Sequence, residues 1–240
     1  MSKTVAIVQA RIGSTRLPGK VLKEVLGKPL IHYLAERVGR CQLVDQVVYA
    51  IPDSAENDVL EDFLQQEGRT VYRGDEKDVL NRFCRAAAEA KADTVVRLTA
   101  DNPLIDPAVI DQGIAHFYAL ECHYLSNTVE RTFPRGMDVE VFTRALLDRT
   151  GLKAESSYDR EHVTPYMLQQ EGGGMDQFRY LYDASEYRLT VDTQEDFDLI
   201  ASIFSALHPK DSHFSLESIL NLLREKPELV KMNQEIEQRK

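Results

Sequence analysis

Residues 4–20 join two stretches of opposite physical character, and the seam between them limits what this chain can become. Val5-Ala6-Ile7-Val8 is a short apolar, β-branched run, the composition of a strand covered on both faces in a parallel sheet. Ala10 to Lys20 then holds two glycines, a proline, two hydroxyls and three cations, Arg11, Arg16 and Lys20. No helix runs through Leu17-Pro18-Gly19, so this is a loop at the carboxyl end of the first strand. Glycine lets backbone N–H groups come close to an anion, and the cations neutralise what sits there. The ligand implied is a polyphosphate; the alternative is a surface turn with solvated charges. A Walker A loop is excluded, because five residues separate Gly13 from Gly19 and Val21 follows Lys20.

The whole chain is acidic, with a net charge of −10 over 240 residues. That argues against nucleic acid or an anionic membrane as the main partner and makes the first loop a local anion site. The length and the 43% hydrophobic content suit one substantial core. Cys41, Cys84 and Cys122 lack metal-ligand spacing and read as reduced thiols of a cytoplasmic protein. No apolar run is long enough to span a bilayer.

Strands and helices alternate through the first half, the pattern of an α/β fold with a mostly parallel sheet flanked by helices on both faces. Strands are predicted at 5–9, 44–51, 70–73 and 94–99. Helices follow Pro29, Ser54, Asp78 and Pro107. The second half is less regular, with strands predicted at 123–127, 138–142, 178–182 and 188–191. A broken helix is read over 158–170, a turn at Gly172-Gly173-Gly174, helices over 194–207 and from Ser215, and a polar tail that frays beyond Pro227. The reading is one domain: 1–120 a nucleotide-binding half, 121–207 a substrate-binding and metal-completing half, and 208–240 C-terminal helices.

Two acids end apolar strands. Asp101 lies in Arg97-Leu98-Thr99-Ala100-Asp101-Asn102-Pro103, directly past a buried strand, where open α/β sheets bind ligands. Asp192 lies in Val191-Asp192-Thr193-Gln194-Glu195-Asp196. Each lies where a ligand binds or a cap forms, although Thr193 can cap the helix and leave Asp192 free.

The loop Ala10-Arg11-Ile12-Gly13-Ser14-Thr15-Arg16-Leu17-Pro18-Gly19-Lys20 resembles the signature loop of the sugar-activating cytidylyltransferases. These include the CMP-Kdo and CMP-sialic acid synthetases, and the spore-coat polysaccharide branch is the most similar. Gln9 stands where the Kdo enzymes carry proline. The resemblance implies a nucleotide-diphospho-sugar transferase (GT-A-like) fold and transfer of CMP from CTP to an acidic keto sugar, with magnesium as cofactor. It makes Arg11, Arg16, Lys20 and Asp101 catalytic and Asp101 and Asp192 the metal ligands. Ala10, Gly13, Ser14, Arg73, Asp78 and Arg82 fall on the nucleotide side, with Asp78 either accepting from the cytosine amino group or capping its helix. Arg135, Asp138, Glu140, Arg160 and His162 fall on the sugar side, against the alternative of solvated surface charges; His162 has the pKa range of a general base. A homodimer is compatible with this reading. A nucleotide-sugar-dependent glycosyltransferase, a nucleotidyltransferase for another base and a non-catalytic nucleotide binder are the rival functions.

Overall fold

The computed structural model describes residues 2–169 and 174–236. The predicted first strand is β1 (Thr4–Gln9), and Val5 to Val8 are fully buried. Burial of side chains such as Val5 and Ile7 stabilises by about 1.5–3 kcal/mol each. Around it run β4 (Gln46–Pro52), β5 (Thr70–Gly74) and β6 (Thr94–Thr99), all parallel to it. The sheet continues through β7 (Tyr124–Ser126), β8 (Glu140–Thr143) and β9 (Met175–Gln177), in the order β5-β4-β1-β6-β8-β7-β9. Only β8 runs against the others. A two-stranded hairpin of β2 (Glu24–Val25) and β3 (Lys28–Pro29) follows the first loop.

Alternation along β1 sends Ala6 and Val8 into one apolar layer and Val5 and Ile7 into the other. The first layer holds α1 (Leu30–Val38), α2 (Asp58–Gln66), α4 (Pro107–Ala119), α8 (Gln194–Leu207) and α9 (Leu216–Glu225). The second holds α3 (Val79–Glu89), α5 (Arg144–Lys153) and α7 (Pro165–Leu168), with α6 (Ser157–His162) packed on α3. The α/β sheet with helices on both faces is as the sequence pattern predicts.

The differences lie in the second half. The stretches 178–182 and 188–191 form no ladder in the main sheet: the first ends in a bend and the second makes a single bridge, Arg188 to Arg135. Phe178 N–H donates to Ser126 O at the end of β7 at 3.1 Å, whereas Leu189 N–H donates to Arg135 O at 2.6 Å and Val191 N–H to Asp101 O at 2.8 Å. β8 begins at Glu140 because the Asn127 side chain caps the preceding backbone, its Oδ1 accepting from Val139 N–H at 2.9 Å. Helix α5 was not anticipated by the sequence reading. Pro29 is the N-cap of α1 and closes the hairpin, one position earlier than expected. Beyond Pro227 there is a further turn of helix, α10 (Pro227–Val230), and Asn233 after it is buried. Of the glycine triplet, only Gly174 lies within the described residues.

Candidate active site

The four parallel strands around β1 end on one rim, and the loops beyond them enclose a cleft of about 670 Å³, the size range of small-molecule sites. The first loop forms one wall. Ile12 N–H donates to Oδ1 of the buried Asn57 at 2.9 Å, and Gly19 N–H to Ile12 O at 3.1 Å, which pins the loop at both ends. Gly19 has φ 66°, a left-handed conformation that favours glycine; Gly13 has room for a Cβ. Between them, the amides of Gly13, Ser14, Thr15 and Arg16 have no acceptor among the described residues. Unpartnered amides lining a concavity attract an anion. Ala10, Arg11, Gly13, Ser14, Arg16 and Lys20 all line the cleft, and Arg11 has no ion-pair partner among the described residues.

Lys20 is the centre of the site. Its Nζ lies 3.1 Å from Asp101 Oδ2 and 2.9 Å from Asp192 Oδ1, and donates to Val191 O at 2.6 Å. Two aspartates 91 residues apart thus flank one ammonium. Burial opposes the Lys20 charge, but the two carboxylates outweigh it and its pKa lies above the ordinary lysine value. Asp192 Oδ2 also meets Arg16 Nη2 at 2.9 Å and Arg188 Nη2 at 2.9 Å. Burial opposes the Asp192 charge as well, yet Lys20 and Arg16, with Arg188, hold its pKa below the usual carboxylate range. Thr193 takes the cap, accepting from Asp196 N–H at 3.4 Å, which frees Asp192. Asp101 accepts from the Thr99 hydroxyl at 2.6 Å.

The remaining expected residues divide. His162 lines the cleft beside Glu161, where α6 ends in a γ-turn at Val163. Val163 has φ 71° and ψ −54°, with Thr164 N–H donating to His162 O at 2.8 Å. That is a strained conformation for a β-branched residue, and the fully buried Val163 side chain anchors it. Arg160 does not line the cleft: its guanidinium donates to Asp78 Oδ2 at 2.6 Å and to the Ala154 carbonyl at 2.9 Å. Asp78 itself is the N-cap of α3, accepting from Asn81 N–H at 3.0 Å, so both its oxygens are engaged. Arg73 joins Asp58 and Glu61 in an ion-pair cluster behind the rim. Arg82 is buried; Nη1 donates to Asp75 O at 2.5 Å, while Nε and Nη2 have no acceptor among the described residues. Burial, with Arg11 nearby, draws its pKa down to about 10.

Asp138 and Glu140 do not share a function-facing strand edge, because Asp138 precedes β8. Arg131 holds Asp138 through two bonds of 2.5 and 3.1 Å. Glu140 is buried with both oxygens engaged, by Arg97 Nη1 and by the Tyr124 hydroxyl at 2.6 Å. Arg135 has no ion-pair partner among the described residues; burial and the neighbouring Arg131 lower its pKa.

The sequence reading missed Arg97, Thr99, Glu56 and Glu161, all of which line the cleft, and Asn57, which anchors the loop. Arg97 carried a signal. A cation inside the apolar run Val95-Val96-Arg97-Leu98 needs a buried partner or a ligand.

Among the described residues no three His, Cys, Asp or Glu side chains converge as a metal site. Nor is any helix long and apolar enough to cross a membrane. What converges is an amide-lined cationic loop, one carboxylate just past β6 and a second on a turn outside the sheet, in a protein of the nucleotidyltransferase class. The chain belongs to the cytidylyltransferase family, whose model matches residues 5–238. It is 34% identical to the spore coat polysaccharide biosynthesis protein SpsF of Bacillus subtilis, over 95% of this chain and 97% of that one. A 3-deoxy-manno-octulosonate cytidylyltransferase of Geobacter metallireducens is 36% identical over 49% of this chain and 45% of its own length. A solved cytidylyltransferase from Leptospira borgpetersenii superposes with a TM-score of 0.93 at 32% identity, covering 99% of this chain and all of that one.

Proposed function

We propose that this protein transfers CMP from CTP to an acidic keto sugar, releasing pyrophosphate, in the biosynthesis of a surface polysaccharide or glycan. The observation that carries the reading is the Lys20 ammonium between Asp101 and Asp192, beside a loop with four unpartnered amides. A triphosphate brings negative charge to the loop, and the two carboxylates facing it already gather cations, with the Lys20 ammonium between them. Their donor chemistry fits a divalent ion: two hard oxygens, with no third carboxylate, imidazole or thiolate converging on them among the described residues, the remainder coming from phosphate and water. Asp101 and Asp192 would hold that ion, magnesium in this reading, and it would polarise the reacting phosphate and acidify the attacking hydroxyl.

The reaction is a displacement at phosphorus. A sugar hydroxyl attacks the α-phosphorus, the bond to the bridging oxygen of the β-phosphate breaks, and pyrophosphate leaves with the electron pair. Arg11, Arg16 and the amides of Gly13 and Ser14 neutralise the charge on the outer phosphates. Lys20, already beside the aspartates, reaches the leaving group. Arg82, buried beside the cleft rather than lining it, stands on the nucleotide side of this reading, with Nε and Nη2 free of acceptors among the described residues. Arg97, which lines the cleft, and Arg135, without an ion-pair partner among the described residues, are the cations suited to the sugar's carboxylate. Glu140 and Asp138 act one step back, through Arg97 and Arg131. His162 stands in the cleft as a base for the hydroxyl proton. Catalysis of this kind is mainly positioning and electrostatics. The test is pyrophosphate release with each of the four nucleoside triphosphates, with and without a panel of acidic and neutral sugars. Release that depends on CTP and on an acidic sugar is expected; preference for another nucleotide, or for neutral sugars, overturns the assignment.

A further inference from the structure

The segment after α10 reaches the site through a buried polar chain. Asp192 is held by three cations, and two of them, Arg16 and Lys20, belong to the loop that receives the triphosphate. Among the described residues only Arg188 ion-pairs with Asp192 from outside that loop. Arg188 is itself set by a fork: its Nε donates to Asp196 Oδ1 at 2.8 Å and its Nη2 to Asp196 Oδ2 at 2.9 Å. Asp196 is fully buried and also accepts from the Asp192 and Thr193 amides, at 2.9 and 3.1 Å. The carboxylate of Asp196 therefore fixes both the backbone of Asp192 and the arginine that aims its side chain.

Asn233 completes this arrangement. It is 3% exposed, and its Nδ2 donates to Asp196 Oδ1 at 2.8 Å and to Arg188 O at 3.0 Å. One carboxamide nitrogen thus uses both protons to tie the main chain of Arg188 to the carboxylate that grips its side chain. A residue kept merely for packing has no need of two directed bonds into one ion pair. We propose that Asn233 is a positioning residue for Asp192, acting through Asp196 and Arg188, so that the C-terminal segment sets the geometry of the candidate metal ligand. This rests on the reading of Asp192 as a metal ligand.

Hydrogen-bond partners that orient a ligating group typically affect metal affinity by about 10–100-fold. The test is titration of the full chain with Mn²⁺, following the free-ion EPR signal, for wild type, Asn233→Ala and Asp192→Asn, with circular dichroism and melting temperature as controls. Asn233→Ala is expected to raise the Mn²⁺ dissociation constant about tenfold with KM for CTP little changed, and Asp192→Asn to remove the site. Asn233→Ser, which keeps one donor, takes the place of the alanine variant if that does not fold, and falls between it and wild type. An Asn233 variant that melts lower yet binds Mn²⁺ as wild type does overturns the positioning role. No Mn²⁺ binding by wild type, or undiminished binding by Asp192→Asn, instead overturns the metal assignment beneath it.

Discussion

Asp101 and Asp192 meet the same ammonium from different halves of the chain, and they are held in unlike ways. Asp101 sits in the turn that follows β6, with the hydroxyl of Thr99 two residues back and Lys20 as its partners. Asp192 is surrounded by Arg16, Lys20 and Arg188, and its backbone is bound by Asp196. The first carboxylate is placed by its own strand; the second is placed by a buried ion pair assembled from residues 188, 196 and 233. A strand end needs little extra support because the sheet already fixes it. A turn outside the sheet has no ladder to rely on and is built from charges instead.

The largest effect that sharpens this contrast is on turnover. Asp101→Asn and Asp192→Asn should each lower kcat/KM by at least ~1,000-fold, about 4 kcal/mol, while only the second lowers the melting temperature appreciably. Equal melting temperatures would break the comparison. Next comes stability: Asp196→Ala removes the buried carboxylate that forks Arg188 and binds the Asp192 and Thr193 amides, and should cost about 3–5 kcal/mol in urea unfolding. Thr99→Val, at the corresponding support of Asp101, should cost about 1 kcal/mol. A smaller effect separates the loop from both acids. Arg16→Ala should weaken CTP binding about tenfold or more in calorimetry and CMP binding far less; equal losses would remove Arg16 from the outer phosphates.

The smallest is a pH effect. The folded pKa of Asp192 is depressed, so its charge contributes stability above the unfolded value of about 3.9. That contribution is lost as pH falls through the folded value. The stability difference between wild type and Asp192→Asn should therefore be constant from neutral pH down to about 4 and shrink below it. A difference that grows on acidification would contradict the charge pairing.

The same contrast explains what could be read in advance. The first loop was legible because strand, glycines and cations are contiguous, and each is a local property. Asp101 was legible for the same reason. Asp192 could be singled out, but its support could not: Asp196 looks like an ordinary acid in a first helical turn, and Asn233 lies in a polar tail 37 residues further on. On the acceptor side, residue type suggested Arg160, Asp138 and Glu140, whereas pairing decides where they point. Each had found an ionic partner distant in sequence or hidden by an irregular loop. The stretches 178–182 and 188–191 have strand-like composition; whether a neighbour offers a ladder is not written locally.

The reversal of β8 has a further consequence. Because β7 leaves the sheet at Ser126 and β8 re-enters it opposite, at Glu140, the excursion between them starts and finishes on a single lip of the fold. It is nonetheless built into the interior: Phe133 and Met137 are fully buried, and Leu189 N–H donates to Arg135 O. Residues 128–138 and the segment that leads to Asp192 are thus tied into one edge of the fold, and a change in either is felt by the other.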